Sequence, residues 1–281
     1  MGNSTFNKVS VFLDESGKNK NEISLIGALL VPEDYYNNEK ISDLNHRLRE
    51  ESFKLHFTSF KKSDSKLYKE VLEVFLENTD YLKFNVVTFK RNSHFNTNLN
   101  MHSSYNDMIY SKIPERVLYG VLREFGNFSS VSAKIYIEES GEYKKRDLHK
   151  VVKNQLNVHS LYRNENFRVD SALLIPKNKH IGVEITDTIL GMLRVIIENA
   201  DAVKDGEVKK KTLWGKKSFI FEMIPTIEVF LRGINYFELE GQQVLRPKSI
   251  NGYLNMFLSK YEKECRSLIL EDEEASVSSV S

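Results

Sequence analysis

The sequence predicts an α/β fold in which helices flank one mixed sheet. Three observations support this prediction. After an initial pair of strands, β-favouring runs alternate with segments of helical period. Hydrophobic residues make up 41% of the 281 residues, which is enough apolar surface for a substantial core. No internal repeat is visible, so we expect one domain over residues 1–270, with helical additions from about residue 201 and a flexible tail at 271–281.

The strands are predicted from runs of β-branched and aromatic residues. Val9–Leu13 stops at an Asp-Glu-Ser-Gly sequence that is typical of a turn, and Ile23–Val31 follows as its partner. Three further strands are predicted later in the chain, at Tyr81–Phe89, Val131–Glu138 and Phe167–Leu174. Together these segments predict the mixed sheet.

The helices are predicted from the spacing of apolar residues. The segments with helical spacing are Tyr36–Glu51, Ser63–Asn78, Tyr105–Phe125, Lys145–Tyr162 and Val183–Asn199. Pro114 is expected to break or kink the third of them. Ser218–Leu239 is apolar but ambiguous in period, and a last helix is expected to begin near Pro247 or Ser249. We therefore expect helices against the faces of the sheet and further helices in the C-terminal additions.

Composition and charge exclude several classes of protein. No run approaches the roughly 18 apolar residues that a membrane span needs, and residues 1–8 do not resemble a signal peptide, so we expect a cytoplasmic protein without membrane contact. The single cysteine, Cys265, cannot form an internal disulfide, and no close cysteine or histidine pairs suit structural zinc. Any metal is therefore expected to bind mainly to oxygen ligands.

The densest basic run surrounds the only tryptophan. Its candidate nucleic-acid-binding residues are Lys209, Lys210, Lys211, Trp214, Lys216 and Lys217. Such a run could bind phosphates and stack a base on the ring. A solvated surface loop is the commoner structure for a charge run. The net charge of +1 does not indicate a polyanionic partner, so the case for one depends on such local patches.

Acidic residues end two predicted strands and lie on one predicted helix. Asp14 and Glu138 follow apolar strands, whereas Glu184 and Asp187 are three residues apart and so share a helix face. Taken singly, Asp14 is typical of a turn, Glu138 of a solvated strand end, and the helical pair of a helix N-terminus. Together they would place like charges side by side, an arrangement that needs a cation. His56 lies in an apolar setting, where a lone histidine is usually structural.

These segments, in this order, resemble a bacterial and phage family known as domain of unknown function 3800, whose members are regarded as ribonuclease H-like nucleases. The resemblance covers about residues 9–194. It rests on Phe12-Leu13-Asp14-Glu15-Ser16-Gly17, Leu55-His56-Phe57, Ile137-Glu138-Glu139, and Val169-Asp170-Ser171 followed by Ile181-Gly182-Val183-Glu184-Ile185-Thr186-Asp187. Three residues depart from the family's pattern: Lys54 stands where an acid is common, Glu138 where aspartate is, and Glu184 where glutamine is.

The resemblance implies a single ribonuclease H-like domain that cleaves the phosphodiester bonds of DNA or RNA, in phage defence or mobile-element biology. It implies catalytic roles for Asp14, Glu138, Asp187 and His56. The three acids would bind Mg²⁺ or Mn²⁺, with Glu15 and Glu184 as reserve ligands. The histidine would orient water or assist departure of the leaving group. Lys18, Lys20 and the basic run are the candidate contacts to the nucleic-acid backbone.

Two alternatives stay open. The first is a nucleic-acid-binding module that has the same fold but no turnover, and the departure at Lys54 favours it because an acid is missing there. The second is an effector that acts by binding a protein partner of a defence system. Aromatic additions such as Phe219–Phe237 could supply its interface, although aromatic residues at helical spacing are more often core.

Overall fold

A computed structural model of the chain describes residues 7–17, 23–90, 104–127, 129–200, 211–240 and 244–263. These residues form one seven-stranded sheet. Its strands are β1 (Asn7–Ser16), β2 (Ile23–Pro32), β3 (Lys83–Lys90), β4 (Val131–Glu138), β5 (Phe167–Ile175), β6 (Asn235–Glu240) and β7 (Val244–Lys248). They lie side by side in the order β5-β4-β1-β2-β3-β6-β7.

The sheet is mixed. The central strand β1 is antiparallel to β2 and parallel to β4, and β2 is antiparallel to β3. Outside this centre, β5 is parallel to β4, β6 is parallel to β3, and β7 is antiparallel to β6. Both β1 and β2 are buried over nearly their whole length, as expected for strands that are covered on two faces.

Helices cover both faces of the sheet, which confirms the predicted α/β class. They are α1 (Glu33–Tyr36), α2 (Glu39–Arg49), α3 (Ser65–Phe75), α4 (Ile113–Gly126), α5 (Gly141–Lys145), α6 (Leu148–Arg163), α7 (Ile181–Ala200), α8 (Lys211–Arg232) and α9 (residues 250–263). On what we call the first face, α2, α3, α7, α8 and α9 pack into one core. On the second face, α4 and α6 pack into another.

Alternation along β1 assigns its side chains to these two cores. Phe12 belongs to the core of the first face and Leu13 to that of the second. Because successive side chains of a strand point to opposite faces, Asp14 continues on the first face and Glu15 on the second. The face covered by α7 is therefore the one that receives Asp14.

Several element predictions need correction. The helix predicted at about Tyr36–Glu51 is confirmed as α2, but it begins only at Glu39, where Asn38 caps it by accepting a hydrogen bond from the amide of Ile41 at 2.8 Å. Pro114 does not break its helix: a π-helical turn, Met108–Lys112, leads directly into α4. A wide turn accommodates a residue that has no N–H to donate.

The C-terminal additions are not purely helical. Within Ser218–Leu239 the chain completes α8 and then enters β6, which pairs with β3, so this part extends the sheet. The helix predicted after Pro247 is confirmed as α9. The predicted tail at 271–281 lies outside the described residues. In the described ranges, no helix has the length and apolar character needed to cross a membrane.

Candidate functional site

Strand register brings Asp14 and Glu138 together. In the parallel pair β1 and β4, Leu13 is the partner of Ile137, so the next residue of each strand is an acid at the same sheet edge. Both acids are buried, Asp14 completely. They are close enough that the charge of Glu138 acts on Asp14.

Helix α7 adds Glu184 and Asp187 to this edge. The helix can approach β1 closely because Gly182 faces the ring of Phe12, where a Cβ would lie only 2.5 Å from the ring carbons. Both acids are buried, and the charge of Asp187 acts on Asp14. We call Asp14, Glu138, Glu184 and Asp187 the carboxylate cluster.

His56 reaches the cluster from the loop between α2 and α3. Its Nδ1 atom is 3.3 Å from Oδ2 of Asp187, and the amide of Phe57 donates to the same oxygen at 2.9 Å. The loop is held in place by Tyr68, whose hydroxyl accepts a hydrogen bond from the His56 amide at 2.8 Å. Gly191 leaves room for the Phe57 ring, which lies 2.3 Å from where a Cβ would be. The imidazole remains partly exposed at the edge of the cluster.

Lys177 is a site residue that sequence reasoning missed. Its ammonium lies 2.8 Å from Oε1 of Glu138 and 3.3 Å from Nδ1 of His56. Accepting a hydrogen bond from Lys177 requires a lone pair on Nδ1, whereas donating a hydrogen bond to Asp187 requires a proton there. His56 therefore makes one of these two hydrogen bonds at a time, according to which tautomer is present.

Asn178 fixes the loop that carries Lys177. It adopts a left-handed conformation with φ of 57°, which asparagine tolerates better than most residues. Its amide donates to Oε1 of Glu184 at 2.6 Å, and its side-chain oxygen accepts from the amide of Leu55 at 3.0 Å. Asn178 thus ties together the β5–α7 loop, α7 and the histidine loop. A Pro-Lys-Asn turn at the carboxyl end of β5 was the signal in the sequence, since the acids lie at the same edge.

The acids of the cluster differ in their electrostatics. Burial, together with the charges of Glu138 and Asp187, raises the pKa of Asp14 well above its usual value. Burial also raises the pKa of Glu184 to about 8, against the opposing effect of the Asn178 amide. Burial alone would raise the pKa of Asp187 as well, but its hydrogen bonds with His56 and the Phe57 amide help to outweigh burial and lower it. Without a cation, Glu184 therefore holds a proton at neutral pH while Asp187 is ionised.

The donor chemistry of the cluster fits a hard cation. Carboxylate oxygens are the ligands that Mg²⁺ and Mn²⁺ prefer, and Oδ2 of Asp14 is buried with no hydrogen-bond partner among the described residues. In the same part of the chain, no three acidic, histidine or cysteine side chains are arranged to hold an ion as they stand. Lys177 also contacts Glu138. Binding an ion through both Asp14 and Glu138 would therefore require the lysine to give up that contact.

Two other residues singled out in the sequence lie away from the cluster. Glu15, a predicted reserve ligand, is on the second face of the sheet, where it acts on the buried hydroxyl of Tyr143. Lys54, which departs from the family's pattern, is exposed and lies 3.6 Å from Glu51. The first placement corrects the prediction for Glu15, because strand alternation turns it away from Asp14.

The described part of the basic run, residues 211–217, is helical and not a loop. Lys211 begins α8, while Lys209, Lys210, Lys18 and Lys20 lie outside the described residues. Lys216 and Lys217 are only 8% and 2% exposed, so their side chains do not lie at the surface where they could contact phosphate. Both are carried inward because α8 packs into the core of the first face, and their aliphatic stems tolerate that environment.

These lysines find partners inside the protein. Lys216 donates to the carbonyl of Thr58 at 2.9 Å and lies 5.1 Å from the ring centroid of Phe57. Lys217 lies 5.1 Å from the ring centroid of Trp214 and 4.0 Å from that of Tyr261. We call Trp214, Lys216, Lys217 and Tyr261 the lysine–aromatic cluster. Trp214 is half-buried in it, with its ring edge-to-face against that of Tyr261.

No family model, curated protein or solved structure matches this chain. Function is therefore inferred from the side chains of the carboxylate cluster and their surroundings.

Proposed function

We propose that this chain is a metal-dependent nuclease that cleaves phosphodiester bonds of DNA or RNA at the carboxylate cluster. The observation that carries the proposal is the convergence of Asp14, Glu138 and Asp187 from two strands and a helix, with Oδ2 of Asp14 lacking a partner in the described chain. Buried like charges that are uncompensated destabilise a fold. Their presence is explained if a cation binds there.

Asp14, Glu138 and Asp187 would hold Mg²⁺ or Mn²⁺, with Glu184 beside them. When bound, such an ion lowers the pKa of an attacking water and stabilises the leaving oxygen of a phosphodiester. Asp187 is suited to its role because the Phe57 amide and His56 keep it ionised. Asn178 holds Glu184 in position through its amide.

Beside the acids, His56 would accept a proton and Lys177 would supply a positive charge. When Nδ1 of His56 donates to Asp187, Nε2 is left with a lone pair that can take a proton from water. The Lys177 ammonium, once released from Glu138, provides a positive charge for a phosphate oxygen. Both side chains are partly exposed, so a phosphodiester can reach them from solvent.

The same proposal includes a ribonuclease H-like fold. The ribonuclease H-like class comes from the resemblance of the sequence motifs, and the mixed sheet with helices on both faces is compatible with it. Nucleic acid is the partner that this class implies. A role in phage defence or mobile-element biology rests on the same resemblance.

A second candidate function is a module that binds nucleic acid or a protein partner without turnover. The contact between Lys177 and Glu138 favours it, because this cation already neutralises one acid of the cluster. A module of this kind would show neither cleavage nor stabilisation by Mg²⁺ or Mn²⁺. Metal-dependent behaviour therefore separates the two candidates.

Cleavage by the purified full-length protein tests the proposal. Single- and double-stranded DNA and RNA are incubated with wild type in Mg²⁺, Mn²⁺ or chelator. We expect cleavage with metal, none in chelator, and none by Asp14→Asn, which keeps the shape of the side chain but removes its charge. Asp34→Asn, at an exposed position in α1, is the matched control and should leave cleavage unchanged. Equal turnover by Asp14→Asn and wild type would refute the proposal.

A further inference from the structure

A cavity of about 520 Å³ lies on the second face of the sheet, opposite the carboxylate cluster. It is bounded by α4, the C-terminal end of α6, and the strands β3, β6 and β7. A volume of this size falls in the range of small-molecule sites, roughly 300–1,000 Å³. None of the residues assigned to the proposed nuclease site lines it.

The lining of this cavity is rich in basic side chains. Lys112, Arg116, His159 and Arg163 all line it, against a single acid, Glu115. Glu115 is buried and already compensated, since it lies 2.9 Å from the Lys112 ammonium and 3.1 Å from Nδ1 of His159. The positive charges of Arg116 and Arg163 thus have no matching acid in the lining.

The two arginines differ in how they are held. Arg163 lies with its guanidinium 5.0 Å from the ring centroid of Tyr119, and this ring also lines the cavity. Arg116 is exposed and forms no ion pair within the described ranges. Guanidinium groups bind phosphate and carboxylate oxygens in a bidentate manner. Both arginines can therefore bind an anion without breaking a salt bridge to an acid that lines the cavity.

The rest of the lining is mainly apolar. Val87, Val117, Phe237 and Leu245 supply aliphatic and aromatic walls. The main polar group among them is Asn85, whose Oδ1 accepts a hydrogen bond from Asn235 at 2.9 Å. Gly120 preserves the space beside that amide, because a Cβ there would lie 2.7 Å from its Nδ2. An apolar pocket with one amide and a basic set of side chains suits a ring that carries an anionic group.

We propose that this cavity binds a small organic anion composed of a flat ring and a phosphate, such as a nucleoside monophosphate. The ring lies among Tyr119 and the apolar walls, and the phosphate is bound by Arg116 and Arg163. Asn85 provides the polar contact for the ring. This site is independent of the carboxylate cluster, because the sheet separates the two.

Calorimetric titration of the full chain tests this site, with adenosine monophosphate, adenosine and inorganic phosphate as separate probes. Chelator is present, so that no metal-bridged binding at the carboxylate cluster contributes. We expect the monophosphate to bind at least about tenfold more tightly than either fragment, since only it uses both parts of the cavity. Equal binding of inorganic phosphate and the monophosphate would overturn the assignment of the ring.

Charge reversal locates the binding. The double substitution Arg116→Glu with Arg163→Glu should weaken binding of the monophosphate at least about tenfold, because both charged contacts are lost. Lys150→Glu, on the exposed side of α6, is the matched control and should bind as wild type does. Thermal unfolding of each variant verifies that it is folded. Unchanged affinity in the folded double variant, or no binding of the monophosphate by wild type at millimolar concentration, would overturn the proposal.

Discussion

The carboxylate cluster and the lysine–aromatic cluster are both buried groups of like charge, and both contact Phe57. In the lysine–aromatic cluster each ammonium has protein partners: Lys216 donates to the Thr58 carbonyl, and Lys217 lies close to two aromatic rings. In the carboxylate cluster Oδ2 of Asp14 has no partner among the residues that the structure describes. In the first group both ammonium groups have partners, whereas in the second one oxygen of Asp14 is buried without one among the described residues.

The two clusters show how a structural charge differs from a functional one. A buried charge with its own hydrogen bonds and rings contributes to the fold, and nothing further is needed to explain it. A buried acid next to other acids destabilises the fold and is explained by a ligand that neutralises it.

The largest effect is expected for Glu138→Gln. We expect nuclease activity to fall by more than about a hundredfold, because losing even a residue that only supports a metal ligand costs up to about that factor. Glu139→Gln is the matched control, since Glu139 is adjacent in sequence but forms a salt bridge with Lys144 instead. Cleavage rates of both variants are measured at saturating Mg²⁺. Similar losses in the two variants would remove the distinction between the cluster and its surroundings.

The next effect is a pH dependence of stability that Glu184 imposes on the metal-free protein. Burial raises the pKa of Glu184 from 4.5 to about 8, so the folded state keeps a proton that the unfolded chain releases. Stability from this group therefore falls as pH rises through that window, by up to about 1.4 kcal/mol per pH unit. Glu184→Gln should flatten the free energy of unfolding between pH 5 and about 8, measured with urea in chelator. Parallel curves for variant and wild type would contradict the raised pKa of this buried acid.

Lys216 should show the opposite sign. Burial lowers the pKa of Lys216 from 10.5 to about 8, and the charge of Arg194 is the second cause. Between about pH 8 and pH 10.5 the unfolded chain therefore holds a proton that the folded state lacks. Stability from this group therefore rises with pH through that window, again by up to about 1.4 kcal/mol per unit. Lys216→Met should abolish the rise, and the same substitution at exposed Lys66 should not. An unchanged slope in Lys216→Met would show that this lysine is not held as described.

The smallest effect is expected for Lys217→Met. Methionine retains an apolar stem, so only the attraction between the ammonium and the two rings is lost. We expect the free energy of unfolding to fall by about 1 kcal/mol, within the range of roughly 0.5–2 kcal/mol for such contacts. A double-mutant cycle with Tyr261→Leu measures the pair itself. A coupling energy near zero would mean that the ring does not compensate the charge.

Much of the fold and part of the site could be predicted from the sequence. The spacing and the type of apolar residues predicted β1 to β5 and α7, because both are local properties of the sequence. The meeting of Asp14 with Glu138 and Asp187 followed from acids at the ends of strands and on one helix face. The parallel pairing of β6 with β3 could not be predicted, since it joins segments about 150 residues apart.

The errors have definite physical causes. Lys216 and Lys217 were predicted as exposed because they are charged, but their helix packs into the core and its aromatic neighbours compensate them. Glu15 was grouped with its neighbour although a strand turns adjacent side chains to opposite faces. Lys177 belongs to a loop whose course depends on the left-handed Asn178 and its two hydrogen bonds, and these contacts are tertiary.

The thermal midpoint of unfolding tests the central claim, that the carboxylate cluster binds a catalytic cation. It is measured for wild type and Asp14→Asn in chelator and in excess Mg²⁺ or Mn²⁺, with cleavage followed in the same samples. In chelator the variant should be at least as stable as wild type, because one crowded acid is gone. Metal should raise the midpoint of wild type more than that of the variant, since an ion that binds only the folded state stabilises it by mass action, and only wild type should cleave. An equal metal-induced shift in both proteins, with turnover retained in both, would contradict the claim.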